Sequence, residues 1–250
     1  MAFNLHSSGR PGFNASTFSS APFGIGSSPM TIGGTVNKAF LLLVVLLFAA
    51  LWPWVQASAG NLHGVTSGIL IGLIGGFVLA LTVSFKPSSS RYLAIPYAAL
   101  EGLALGGVSS IIDQRYPGIA LQAVSATFAV MGVMLLAYKA GFIHVTNRFR
   151  AIVIGATGGI ALLYLASFIL GFFHVGVPLL SSSSSFGIGF SLLVVAVAAL
   201  NLALDFDLIA QGVAHGAPEY MEWYGAFSLM VTLVWMYLEI LRLLVKLKER

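Results

Sequence analysis

Four acidic residues, Asp205, Asp207, Glu222 and Glu239, lie within or beside two C-terminal segments that are otherwise apolar enough to cross a bilayer. A carboxylate in such a place must be paired, protonated or turned toward water, because a charge near the bilayer centre costs at least about 2.5 kcal/mol. Glu101 is a fifth such residue and has no charged neighbour within one helical turn. Oxygen ligands of this kind suit hard cations and protons. Softer metal chemistry has no support, since cysteine is absent and His6, His63, His144, His174 and His215 all fall in the tail or loops, none at ligand spacing. No GxSxG elbow or comparable setting marks a nucleophile. The chain therefore reads as a non-enzyme without a cofactor.

Each acidic residue also has a purely structural reading. Glu239 and Arg242 are spaced i, i+3, so a pair on one helix face and a place in an ion path are both open. Asp205 and Asp207 differ by about 200° around a helix, so at most one points squarely into a bundle. Glu219 and Glu222 precede the last apolar run and read most simply as solvated loop residues. With that run starting near Trp223, Thr232 lies roughly 14 Å and Glu239 roughly 24 Å along it. Glu101 should share the depth of Thr232, while Asp205 and Asp207 fall near the end of the preceding run. Together they would form a staggered ladder of oxygen ligands.

The elements that must position these groups are membrane helices. With 58% hydrophobic and 8% charged residues, the chain cannot coat a soluble globule. Apolar windows predict seven spans, Ala39 to Gln56, Val65 to Phe85, Tyr92 to Ile112, Gly118 to Tyr138, Ala151 to Phe172, Phe186 to Asp207 and Trp223 to Val245. Residues 1–30 read as a disordered tail rich in Ser, Gly, Pro and Phe, and 31–250 as one seven-helix domain. The tail lacks the apolar stretch of a signal peptide. Gly68, Gly72 and Gly76, with Gly102 and Gly106, form stripes suited to close helix packing. Gly187 and Gly189 follow serines, with no lysine after them, and do not make a phosphate cradle.

The net charge of +4 points to topology and not to nucleic acid. Arg10, Lys38, Lys86, Arg91, Lys139, Arg148 and Arg150 fall on the side of the tail, and only Arg115 lies in the opposite loops. This places the N-terminus in the cytoplasm and the C-terminus outside.

The stretch NLALDFDLI from Asn201 to Ile209, followed by a last span ending in LEILRLL from Leu238 to Leu244, resembles the Bax inhibitor motif family, a group of seven-helix proteins of bacterial membranes and eukaryotic endomembranes. ALEGL from Ala99 to Leu103, and Met30-Thr-Ile with Lys38, agree with the bacterial branch of that family, and the resemblance covers about residues 30 to 250. It implies an all-α polytopic fold with the last helix central. It further implies a pH-sensitive calcium leak, controlled by two aspartates on the sixth and seventh helices that share a proton when closed and repel when it is lost. Asp207, preceded by Phe206, best matches the sixth-helix position. Alignment back from Arg242 puts Thr232 where the second aspartate is expected, so the pair is not intact. Glu222, Asp205 and Glu101 are the candidates to replace it, and a path without such a gate is the alternative.

The resulting expectation is a calcium leak or exchanger of a bacterial plasma membrane, with lipid, calcium and protons as partners. Asp207 and Glu101 would be calcium ligands, Glu239 with Arg242 an outer element and Thr232 a neutral lining group. The competing expectation is a non-transporting regulator that binds membrane proteases or stress-signalling proteins through its glycine-bearing faces.

Overall fold

The protein is described by a computed structural model covering residues 28–173 and 182–250. Seven of its helices are long and apolar enough to cross a membrane among the described residues. They are α1 (Ile32–Ser58), α2 (Leu62–Phe85), α3 (Ser90–Arg115), α4 (Ile119–Lys139), α5 (Asn147–Phe172), α6 (Ser185–Ala214) and α7 (Met221–Lys248). No strand occurs among the described residues. The fold is an all-α polytopic membrane bundle, and each expected span lies inside one of these helices except that the fourth begins one residue early, at Gly118, whose left-handed backbone (φ 82°) precedes α4. The expectation of a mobile tail concerns residues that, up to position 27, lie outside the described ones.

Local chemistry explains where the helices begin. The side chains of Thr31, Asn61, Thr146 and Ser184 each accept a backbone N–H of the first turn of α1, α2, α5 and α6. Consecutive helices alternate in direction, so α7 begins on the side where α1 begins, where Lys38 meets Glu222, and ends on the opposite side.

α7 is the axis of the bundle. It packs against α1, α3, α4 and α6, and Tyr224 through Met230 are buried without a break. A helix apolar on one face only could not bury consecutive residues in this way; α7 is enclosed. α1, α2, α4 and α5 instead turn large side chains such as Phe40, Phe77, Leu121 and Phe168 outward, where lipid tails are their natural solvent.

The glycine stripe of α3 sets how closely α1 approaches. A Cβ at Gly102 would stand 2.7 Å from the Ala49 Cβ and would meet the Leu46 carbonyl oxygen, which is backbone and cannot swing aside. Gly72 of α2 lies as tightly against Leu100 and Ala104 of α3. Gly102→Ala is therefore expected to push α1 from α3 and cost about 1–3 kcal/mol, read as an earlier thermal transition in detergent. An unchanged transition would mean that the helices separate without penalty.

Candidate functional site

Ser228 and Thr232 are i, i+4 on α7, so their hydroxyls project from one face toward α6. Asp205 meets them there. Ser228 Oγ donates to Asp205 Oδ1 at 2.6 Å and Thr232 Oγ1 donates to Oδ2 at 2.5 Å, with Asp205 only 6% exposed. Both carboxylate oxygens thus receive hydroxyl donors inside the bundle, roughly 10–17 Å from the start of α7 at the helical rise. A hydroxyl can donate to a carboxylate or turn a lone pair to a cation. The site therefore gathers four oxygens that a proton, a water or a hard cation can use.

The sixth helix runs to Ala214, beyond the span expected to end at Asp207. Both aspartates consequently sit more than a turn inside it, and the 200° between them sends them to different neighbours. Asp207 Oδ2 accepts from Arg150 Nη2 at 2.8 Å and from Gln211 Nε2 at 2.6 Å, while Tyr138 OH donates to Oδ1 at 3.4 Å. This half-buried ion pair ties α4, α5 and α6 together. The side chain that faces Thr232 is that of Asp205, not Asp207.

Glu222 differs from its reading as a solvated loop residue. It opens the first turn of α7, is 4% exposed and forms an ion pair with Lys38 of α1. Thr31 donates to Glu222 Oε1 through its backbone N–H at 2.7 Å and its hydroxyl at 2.8 Å. The Lys38 ammonium also lies 5.6 Å from the centroid of the Trp223 ring. Sequence spacing pointed to solvent because the partner is 184 residues away. Just before this latch, Met30 N–H donates to Ala217 O at 2.7 Å and Glu219 N–H donates to Ser28 O at 3.0 Å, so residues 28–30 are pinned beneath the α6–α7 turn.

Toward the other end of α7, Arg242 Nη1 donates to both oxygens of Glu239 at 3.1 Å, so the i, i+3 pair forms. Tyr164 of α5 completes it, donating its hydroxyl to Glu239 Oε1 at 2.8 Å and accepting from Arg242 at 2.6 Å. Glu239 is 2% exposed, and its charge is compensated within this triad. Glu101 stands apart, within hydrogen-bonding reach of Tyr97 one turn earlier on α3, its Oε1 3.1 Å from where a Gly76 Cβ would stand.

The acidic groups therefore do not form one continuous ladder. Asp205, Thr232 and Ser228 converge, whereas Asp207, Glu222, Glu239 and Glu101 each have separate neighbours. Asp207 and Glu101, expected as calcium ligands, do not share a site, and no group of three acidic or imidazole side chains gathers among the described residues. Ser228, Lys38, Arg150 and Tyr164 were not singled out as functional partners from the sequence. For Ser228 the signal existed, an i, i+4 hydroxyl pair with Thr232; for the others the pairing is tertiary.

A family model described as "Bax inhibitor 1 like" matches residues 10–249. No curated protein and no solved structure matches the chain.

Proposed function

The chain belongs to the Bax inhibitor 1 like family, and from that premise we propose that it is a pH-sensitive calcium leak of the bacterial plasma membrane, with its N-terminus in the cytoplasm. The observation that carries this reading is the buried carboxylate of Asp205, bracketed by the hydroxyls of Ser228 and Thr232 on the central helix. An all-oxygen set on the axis of a membrane bundle suits a hard cation. In the closed state the hydroxyl protons occupy the carboxylate and hold α6 against α7. A calcium ion enters as the hydroxyls turn their lone pairs toward it.

Protons compete with calcium for the same carboxylate, so acidification suppresses flux. Like-charge repulsion, which would drive a two-aspartate gate, is absent, because Thr232 is neutral. The protein acts as a conduit and not as an enzyme. Asp207 with Arg150, and Glu239 with Arg242 and Tyr164, serve as inner and outer struts, while Glu101 is a separate polar group at mid-depth. The orientation rests on the Lys86, Arg91, Lys139, Arg148 and Arg150 side carrying the loop cations.

A second reading, association with another membrane protein, is favoured by Gly155 and Gly159. These are spaced i, i+4 on α5 and meet nothing within 4 Å, an open surface of the kind helices pack upon. The test that separates the two is calcium flux into proteoliposomes of the full chain between about pH 6 and 8, a range set by where acidic gates titrate, for the native protein and Thr232→Asp. Installing a second carboxylate against Asp205 should steepen the rise of flux with pH, since the pair then shares one proton and repels on losing it. Absence of flux above empty liposomes at every pH, from folded native protein, would sink the leak and favour the association reading.

A further inference from the structure

On the side of the bundle where α3 ends, a cavity of about 600 Å³ opens between α1, α3, α4 and α7. Its size falls within the range of roughly 300–1,000 Å³ typical of small-molecule sites. Along α1 its wall runs from Leu43 to Trp54, and along α4 from Gly118 to Phe128. At the helical rise these stretches are roughly 15–17 Å long, about half the thickness of a hydrocarbon core. The walls are almost wholly apolar, with Leu46, Leu47, Val124 and Leu233 among them.

Apart from Thr127, whose hydroxyl donates to the Ala123 carbonyl of its own helix at 2.7 Å, the polar groups collect at one end. Ser109 Oγ and Tyr237 OH lie 2.6 Å apart, and Asp113 follows one turn after Ser109 on α3, two residues from the helix end. Asp113 is the only charged residue lining the cavity. Its Oδ1 accepts the Ala120 N–H at 3.1 Å, and no Lys, Arg or His among the described residues forms an ion pair with it. The nearest cation in sequence, Arg115, instead sits over the Tyr116 ring, 5.4 Å from its centroid. A carboxylate without a counter-ion, at the mouth of an apolar slot one leaflet deep, complements a molecule with a long apolar body and a cationic head.

The geometry points to a bilayer lipid with a primary ammonium headgroup as the occupant. Its acyl chain fills the slot between α1 and α4, and its ammonium pairs with Asp113 at the interface. An anionic lipid would place like charge against the same carboxylate and is disfavoured. This site is independent of the calcium reading, because none of Asp205, Ser228 or Thr232 lines it.

Trp54, in the cavity wall, reports occupancy. The full chain is placed in nanodiscs of equal phosphatidylethanolamine and phosphatidylglycerol, with brominated chains on one lipid or the other. The Trp54 contribution is taken as the difference from Trp54→Phe. Brominated phosphatidylethanolamine is expected to quench Trp54 about two- to fivefold more efficiently, the preference that one partly solvated ion pair supports. In Asp113→Asn the two lipids should quench equally. Equal quenching in the native chain, or stronger quenching by phosphatidylglycerol, would overturn the proposal. If Trp54→Phe does not fold, native mass spectrometry of the wild-type chain decides, with preferential retention of phosphatidylethanolamine supporting the site and retention without preference sinking it.

Discussion

Asp205→Asn is expected to leave a folded protein whose calcium flux is about tenfold lower or less still, corresponding to about 1.4 kcal/mol or more of lost ion stabilisation. The residual flux should no longer respond to pH. The fold survives because Asn is nearly isosteric and its carbonyl still accepts one of the two hydroxyls that Ser228 and Thr232 present. Flux falls because the amide carries no charge to offset the dehydration of a divalent ion. The pH response disappears because the amide does not titrate.

The same substitution at Asp207 provides the contrast. Its carboxylate is already committed to Arg150 and Gln211, so Asp207→Asn weakens a strut between α5 and α6 and leaves the pH response in place. Flux measured across pH for both variants in the same liposomes checks the assignment. If the Asp207 variant loses its pH response and the Asp205 variant keeps it, the gate lies on the α5–α6 side and the Asp205 assignment is wrong.

Lys38→Ala carries the second large effect, on stability. The Lys38 side chain is 17% exposed and that of Glu222 5%, so the pair is shielded from water and its loss strands a carboxylate inside the protein. Breaking a buried pair by removing one partner typically costs about 3–5 kcal/mol. The lower end is expected here, because the two Thr31 donors and the N-terminal end of α7 still stabilise the charge.

The double change Lys38→Ala with Glu222→Gln should recover much of the loss, since it removes the stranded charge while an amide oxygen still accepts from Thr31. Thermal unfolding of the three proteins in one detergent gives the comparison. A double variant no more stable than Lys38→Ala alone would show that the cost came from packing against Trp223 and not from the uncompensated charge.

The latch also explains why Glu222 resists a sequence reading. It stands immediately before the apolar run that starts at Trp223, where solvent is the simplest expectation, and nothing local announces Lys38. Only when α1 and α7 pack side by side do the ammonium and the carboxylate meet. Asp207 and Arg150 repeat the lesson, since loop cations between spans read as topology signals and only the fold turns one of them into an ion-pair partner.

What the amino-acid sequence determined by itself is the set of spans, the glycine stripes that permit close helix approach and the i, i+3 spacing that puts Glu239 and Arg242 on one helix face. Each depends on a property local to the chain: apolar length against bilayer thickness, the missing side chain of glycine, and the fixed pitch of a helix. Helical pitch also required Asp205 and Asp207 to face different ways. Which of them turns toward the central helix depends on the rotation of α6 against α7, and that rotation is set by packing along the whole interface. Tertiary structure alone decided that Asp205 meets Ser228 and Thr232 while Asp207 meets Arg150, because these partners are brought together by helix packing across long sequence separations.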